Sequence, residues 1–157
     1  MNSPQQLRIR RAEPADAAAI HALVRSERLN PTDLRWPNFV VACDGADIVG
    51  AVQMRHHVDG SHELGSLVVV PGLRGHGLAA RLIDTLLAGF PGPVHMITQR
   101  RHATHFERWG FRPVRLLRAP VAVRLNWLMG QSVSLWSMLR RRPARPLAIL
   151  GRRLRAR

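Results

Sequence analysis

The sequence predicts an α/β (α+β) fold, and three observations carry that prediction. An apolar run, Leu67-Val68-Val69-Val70, stops at a glycine-bearing turn and restarts as an amphipathic helical pattern. Two Asp-Gly pairs, Asp44-Gly45 and Asp59-Gly60, each lie between apolar runs, the signal of tight antiparallel hairpins. Around them, strand and helix patterns alternate as β-α-β-β-β-α-β-α-β, without an internal repeat. With 157 residues, 46% of them apolar, the chain is long enough to bury one core.

Leu7-Arg8-Ile9-Arg10 alternates and opens the fold as a strand. Pro14 suits the first position of a helix, Asp16 its first turn, and Ile20, Leu23 and Val24 share a face. Asn30 to Pro37 reads as a loop or short helical turn. Asn38 to Cys43, Ile48 to Met54 and a strand opening at His62-Glu63-Leu64 form an antiparallel meander through the two Asp-Gly turns. Leu78, Ala79, Leu82, Ile83, Leu86 and Leu87 line one helix face, and Pro91-Gly92-Pro93 ends it. Val94 to Thr98 reads as a short strand and His102 to Trp109 as a short helix capped by Gly110. Phe111 to Leu116 would be one more strand.

The single cysteine, Cys43, has no partner for an intrachain disulfide and sits in a strand pattern as a small hydrophobe. Met1 to Gln6 is polar and no apolar run follows, so no secretory leader is expected and the expected location is cytoplasmic. The net charge of +14 is uneven: residues 1–113 hold 13 arginines against 10 acids, and residues 114–157 hold 11 arginines and no acid. The charge is a property of the last quarter of the chain.

The turn itself, Arg74-Gly75-His76-Gly77-Leu78-Ala79, joins a strand to a helix N-terminus. There, unpaired N–H groups and the helix dipole favour an anion. It lacks the Gly-Lys-Ser/Thr of a P-loop and the third glycine of a dinucleotide fingerprint. It resembles Arg/Gln-x-x-Gly-x-Gly/Ala, the CoA diphosphate motif of the GNAT acetyltransferase superfamily. Phe106-Glu107-Arg108-Trp109-Gly110-Phe111 is similar to that family's Tyr-Glu-x-x-Gly-Phe, and the order of elements over about residues 7 to 116 is also the family's. Thr98, His105-Phe106 and Gly110-Phe111 together most resemble the acetyltransferase domain of bacterial N-acetylglutamate synthases. The resemblance implies a mixed, mostly antiparallel central sheet flanked by helices. A domain over residues 1–116 is then followed by an arginine-rich amphipathic helical tail over 117–157.

The resemblance also implies acetyl-CoA as co-substrate and transfer of its acetyl group to a primary amine, of an amino acid or other small molecule, in a ternary complex. The amides of Gly75, Gly77, Leu78 and Ala79 are the candidates for the CoA phosphates, with His76 between the glycines and Arg74 at the loop entrance. By resemblance, the pantetheine arm pairs with Leu67, Val68, Val69 and Val70 like an added strand, and the Val68 amide faces the thioester oxygen. Glu63 stands where many relatives carry a catalytic glutamate, and it would take the amine proton directly or through water. The bland alternative for Glu63 is an exposed acid at a strand end. Gly65 marks a bulge or a close backbone approach.

Phe106, counted with the cofactor contacts, stands where many relatives carry the tyrosine that protonates the leaving thiolate, and the chain has no tyrosine. The synthase-like branch has phenylalanine there too. The thiolate would leave unassisted, or take its proton from His105, Ser66 or water. This loss also raises the alternative of a catalytically degraded CoA-binding sensor or adaptor. His102 and His105 lie one helical turn apart, but no third ligand follows at suitable spacing, so no metal is expected. Arg55, His56 and His57, with Arg100 and Arg101, stand at places that can border the acceptor cleft in this fold, where arginines would hold a carboxylate; a solvated surface is the preferred explanation for any one of them.

Ala119 to Leu139 reads as a helix with Val121, Leu125, Leu128, Trp136 and Leu139 apolar. The 15 uncharged residues between Arg124 and Arg140 are too few to span a bilayer. Arg140-Arg141-Arg142 and a further arginine cluster through Arg155 follow, with Leu147 to Leu150 between. Three readings stand open: an interfacial helix on an anionic membrane, peripheral to its inner face; a nucleic-acid contact without a recognisable module; and docking against the domain or a second subunit as a homodimer.

Overall fold

The computed structural model describes residues 7–27, 29, 31–139 and 146–153; side chains are described through residue 132 and again from 146. Met1 to Gln6, Asn30, the run Arg140-Arg141-Arg142, Arg155 and the side chains of Trp136 and Leu139, all used above, lie outside the described residues.

Seven strands form one sheet in the order β1-β2-β3-β4-β5-β7-β6, mostly antiparallel, with helices beside it. These are β1 (Arg8–Arg11), β2 (Phe39–Asp44), β3 (Asp47–His56), β4 (His62–Val69), β5 (Val94–Gln99), β6 (Arg112–Pro113) and β7 (Leu147–Arg152). The helices are α1 (Ala17–Ser26), α2 (Leu78–Ala88) and α3 (Val121–Leu139). The described chain forms two compact units, residues 1–55 with 65–91, and residues 56–64 with 92–157.

In the first unit, β1 pairs with β2 and β2 with β3, both antiparallel, with a bulge between Ala42 and Cys43. Gly45 adopts φ +60° in the β2–β3 turn, as the Asp-Gly signal predicts. The start of α1 is secured by Asp16, whose carboxylate accepts from both terminal nitrogens of Arg10, at 2.6 and 3.0 Å, and from the Glu13 N–H at 2.7 Å. The guanidinium holds the Asp16 carboxyl below its usual range. Ile20 and Val24 of α1 pack with Phe39, Val41, Cys43, Ala51 and Val68 into a core, so Cys43 is the buried small hydrophobe expected of it. On α2, Leu78, Leu82, Ile83, Leu86 and Leu87 are buried, the predicted face except for Ala79, which is half-buried.

In the second unit, β4 pairs with β5 in parallel at Glu63↔His95 and Leu64↔Met96. The predicted helix after β5 is a 3-10 helix over Arg100–Trp109, closed by Gly110 at φ +82°, whose N–H bonds Glu107 O at 2.8 Å. The strand expected over Phe111 to Leu116 shrinks to β6, because a 3-10 turn begins at Leu116 and Pro113 lacks a ladder donor.

Residues beyond the boundary drawn at 116 build the sheet further. β7 hydrogen-bonds along β5 from Val94↔Arg152 to Gln99↔Leu147, and β6 pairs with β7. Its run Leu147-Ala148-Ile149-Leu150 reads as a strand only once Ile149 and Leu150 are seen buried. Ala119, just before α3, and Val123 of α3 are buried with Ile149, and Trp127 of α3 donates through Nε1 to Leu147 O at 3.3 Å. A side chain at Gly130 would meet Leu147 Cδ1 at 2.8 Å, so the absence of a Cβ there permits the approach of α3 to β7.

Candidate functional site

Within the first unit, β4 runs through Val69 into a 3-10 turn over Pro71–Leu73 and then into the loop before α2. Gly75 and Gly77 both take left-handed conformations, φ +81° and +76°, and a Cβ at either would meet open space. Glycine is required there by conformation, and the space beside it is available to a ligand. Gly77 is the residue before α2, so the first amides of that helix, those of Leu78 and Ala79 among them, have no intrahelical acceptor. His76 is exposed between the two glycines. The loop therefore has the conformation, exposure and dipole of an anion site.

Arg74 does not stand free at the loop entrance. Its Nε donates to Val69 O at 2.9 Å, and its guanidinium pairs with Glu27 at 2.6 Å. The arginine ties the end of β4 to the loop, and half of its side chain remains exposed. The Glu27 partner was invisible in the sequence, since 47 residues separate the two.

Upstream on β4, in the same unit, Ser66 has φ +50°, an unusual value for a non-glycine residue inside a strand. Beside it lies Arg55, only 5% exposed. Its guanidinium lies over Gly65, where a Cβ would sit 3.1 Å from a terminal nitrogen. The close approach predicted at Gly65 is thus made by an arginine side chain. Arg55 donates to Ser66 Oγ at 3.2 Å, and the buried Gln53 amide accepts from Arg55 Nε at 3.0 Å and from Ser66 Oγ at 2.9 Å.

The second unit holds Glu63, at the start of β4 and only 2% exposed. The bland alternative of an exposed acid is overturned. A carboxylate taken from water needs donors, and two converge on Oε2: His57 Nε2 at 3.1 Å and Asn126 Nδ2 at 3.0 Å. Because a carboxylate only accepts, the His57 proton facing it sits on Nε2. Asn126 comes from α3. Its position on the face turned to Glu63 depends on a contact 63 residues away.

Three further histidines, His56, His62 and His95, lie on β3, β4 and β5 in the second unit. His95 faces Glu63 across the β4–β5 pair, and the His56 and His62 rings meet edge-on with centroids 4.9 Å apart. Burial pushes His95 below the usual histidine value, opposed by the charges of Glu63 and Asp59, and its Nδ1 is buried with no hydrogen-bond partner among the described residues. Burial and the neighbouring His56 and His57 push His62 down as well. Among the described residues no group of His, Cys, Asp or Glu has the arrangement of a metal site.

His105 and Phe106 lie on the 3-10 helix of the second unit. His105 is exposed, with its ring 5.8 Å from that of His102. Phe106 is half-buried and stacks edge-on against the fully buried Phe111 at 6.5 Å. Its ring anchors this helix to the sheet, a packing role that a tyrosine would share.

Residues 35–113 match the sequence model of the Acetyltransferase (GNAT) domain family. No curated protein matches the sequence. Among solved structures, N-acetylglutamate synthase from Neisseria gonorrhoeae, complexed with coenzyme A and N-acetyl-glutamate, aligns with a TM-score of 0.70 at 18% identity. That alignment covers 98% of this chain and 36% of the synthase, so the chain spans about a third of the synthase's length. Rv2747 from Mycobacterium tuberculosis, in complex with CoA and NLQ, aligns at 0.68 and 20% identity over 94% of this chain and 99% of its own. Escherichia coli ElaA aligns at 0.64 and 14% identity over 94% and 99%.

Proposed function

Because the chain belongs to the GNAT acetyltransferase family, we propose that it moves an acetyl group from acetyl-CoA to the primary amine of a small molecule, an amino acid above all. Acetyl-CoA supplies the activated thioester, and the residues of this chain bind, orient and move a proton. The observation that carries the reading is β4 itself. One end of the strand holds a buried, two-donor carboxylate, and the other leads into a loop with the conformation of an anion site.

In this reading the amides of Gly75, Gly77, Leu78 and Ala79 receive the CoA diphosphate. The backbone of Leu67 to Val70, at the end of β4 that leads into the loop, takes the pantetheine arm like an added strand. The Val68 N–H then faces the thioester oxygen and stabilises the charge that gathers there during attack. Glu63 accepts the proton that the ammonium must lose before it attacks, while His57 and Asn126 hold its carboxylate in place. The thiolate leaves as such or is protonated by water or His105, its ordinary pKa of about 8.5 making it a tolerable leaving group without a phenol.

The amino-acid acceptor is favoured by the N-acetyl-glutamate carried by the Neisseria synthase, whose fold this chain shares. A thiol-release assay with acetyl-CoA across amino acids and simple amines tests the reading. Turnover on an amino acid is expected, with Glu63→Gln lowering kcat by about 100-fold and sparing CoA affinity. CoA binding with no turnover on any amine would instead identify a sensor or adaptor.

A further inference from the structure

Exposed large hydrophobics in this protein are concentrated at one place. Among the described residues they are Val58, Leu117, Val121, Leu125, Leu128 and Met129, each more than half exposed. Val121, Leu125, Leu128 and Met129 follow one another at helical spacing along α3, opposite the face that buries Val123 and Trp127 against β7. The other two belong to the segments that meet at the N-terminus of α3. Leu117 lies in the turn just before it, and Val58 lies in the β3–β4 turn. Asp59 Oδ2 accepts the Ala122 N–H at 3.0 Å and holds that turn against the helix.

The charge around this stripe is mostly positive, with the exposed carboxylate of Asp59 beside Val58 as the exception. Arg115 and Arg118 are exposed beside Leu117, and Arg124 lies at the edge of the stripe. Residues 114–157 contain 11 arginines and no acid. The carboxylate of Asp59 is engaged by Ala122 and Ser61. A second copy of this chain docked through the stripe would bring arginine against arginine. A nucleic acid would satisfy the arginines but leave the apolar side chains between them without a partner. A surface that is apolar within and anionic at its rim satisfies both.

We propose that α3 docks this protein on an anionic phospholipid surface. Val58, Leu117 and the Val121-Leu125-Leu128-Met129 stripe enter the acyl boundary, and Arg115, Arg118 and Arg124 meet the headgroup phosphates. No described helix is long and apolar enough to cross a membrane, so the contact is interfacial. The helix lies flat, because its opposite face is occupied by the sheet. The Asn126 contact to Glu63 then belongs to the side of α3 turned from the lipid.

Co-sedimentation of the full chain with vesicles of phosphatidylcholine alone, or mixed with phosphatidylglycerol, tests this. Binding is expected with the mixed vesicles and little with phosphatidylcholine alone. Leu125→Glu with Leu128→Glu should weaken partition by about tenfold or more while the circular dichroism spectrum stays unchanged. Arg118→Gln with Arg124→Gln should weaken it by about tenfold or more on the anionic vesicles. Three results would each overturn the proposal. One is absence of binding to anionic vesicles. Another is binding indifferent to the leucine substitutions, which identifies a general polyanion contact such as nucleic acid. The third is a dimer in solution that the leucine substitutions dissolve, which assigns the stripe to a second copy.

Discussion

Asn126 donates through Nδ2 to Glu63 Oε2 at 3.0 Å, joining the C-terminal helix to the most buried carboxylate of the second unit. The same oxygen faces His57 Nε2 at 3.1 Å. Replacing Asn126 by leucine removes one donor from a group without access to water, at an expected cost of about 1–3 kcal/mol. Asn126→Asp should cost more at neutral pH, since it sets a second carboxylate beside the first, and the excess should shrink as acid protonates one of the pair. Urea unfolding at neutral and mildly acidic pH reads both. Equal stability of the two variants at neutral pH would remove the contact from the account.

Asp59 caps a helix that belongs to a different stretch of chain. The Ala122 N–H is the largest influence on its carboxyl, followed by the Ser61 hydroxyl and N–H, and together they lower it from 3.8 to about 2. Its folded value lies below its unfolded one, so its contribution is complete above about 3.8 and disappears as pH falls toward about 2. Asp59 is exposed, and the linkage share is small. Asp59→Ala should cost about 1 kcal/mol near neutral pH, the usual worth of an N-cap. The gap between variant and parent should narrow as pH falls below about 3.8, and a gap that is undiminished at about pH 2 excludes the charged cap as its source.

His95 predicts the opposite edge of the pH range. Burial holds it neutral below its ordinary 6.5, whereas the unfolded chain takes up the proton at the ordinary value. The stability it contributes is therefore full above about 6.5 and lost as pH falls below it. Thermal midpoints recorded from mildly alkaline to mildly acidic pH should decline, and His95→Gln should flatten that decline. Part of the slope should survive the substitution, because His62 and His102 are shifted the same way. A slope untouched by His95→Gln would show that its imidazole does not resist protonation in the fold.

Features that depend on neighbours in sequence were legible. The Asp-Gly turns, the face of α2 and the glycine loop each rest on φ angles or periodicities that a few consecutive residues determine. Features that depend on approach across the chain were not. Asn126 and Glu27 showed no sign of their bonds to Glu63 and Arg74, and β7 looked like part of a basic tail because its strand character comes from burial against β5. The solvated surface weighed for Arg55 does not hold, because the missing Cβ of Gly65 gives its guanidinium room to be buried.

Gly77 separates conformational strain from ligand contact. It shares with Gly45 a left-handed backbone, φ +76° and +60°, and open space where a Cβ would stand. Alanine at either position meets no atom, so both substitutions should lose stability by the same backbone penalty, about 1–2 kcal/mol. Gly45 lies in the β2–β3 turn and Gly77 at the start of α2, where the proposed function puts the diphosphate. Calorimetric titration with acetyl-CoA should therefore find wild-type affinity in Gly45→Ala and a loss of about tenfold or more in Gly77→Ala, because a methyl group now stands where the phosphates approach the amides. Valine at 77 should deepen that loss. If the two alanine variants bind acetyl-CoA equally, the diphosphate does not sit on this loop, and the roles assigned to Gly75, Leu78 and Ala79 go with it.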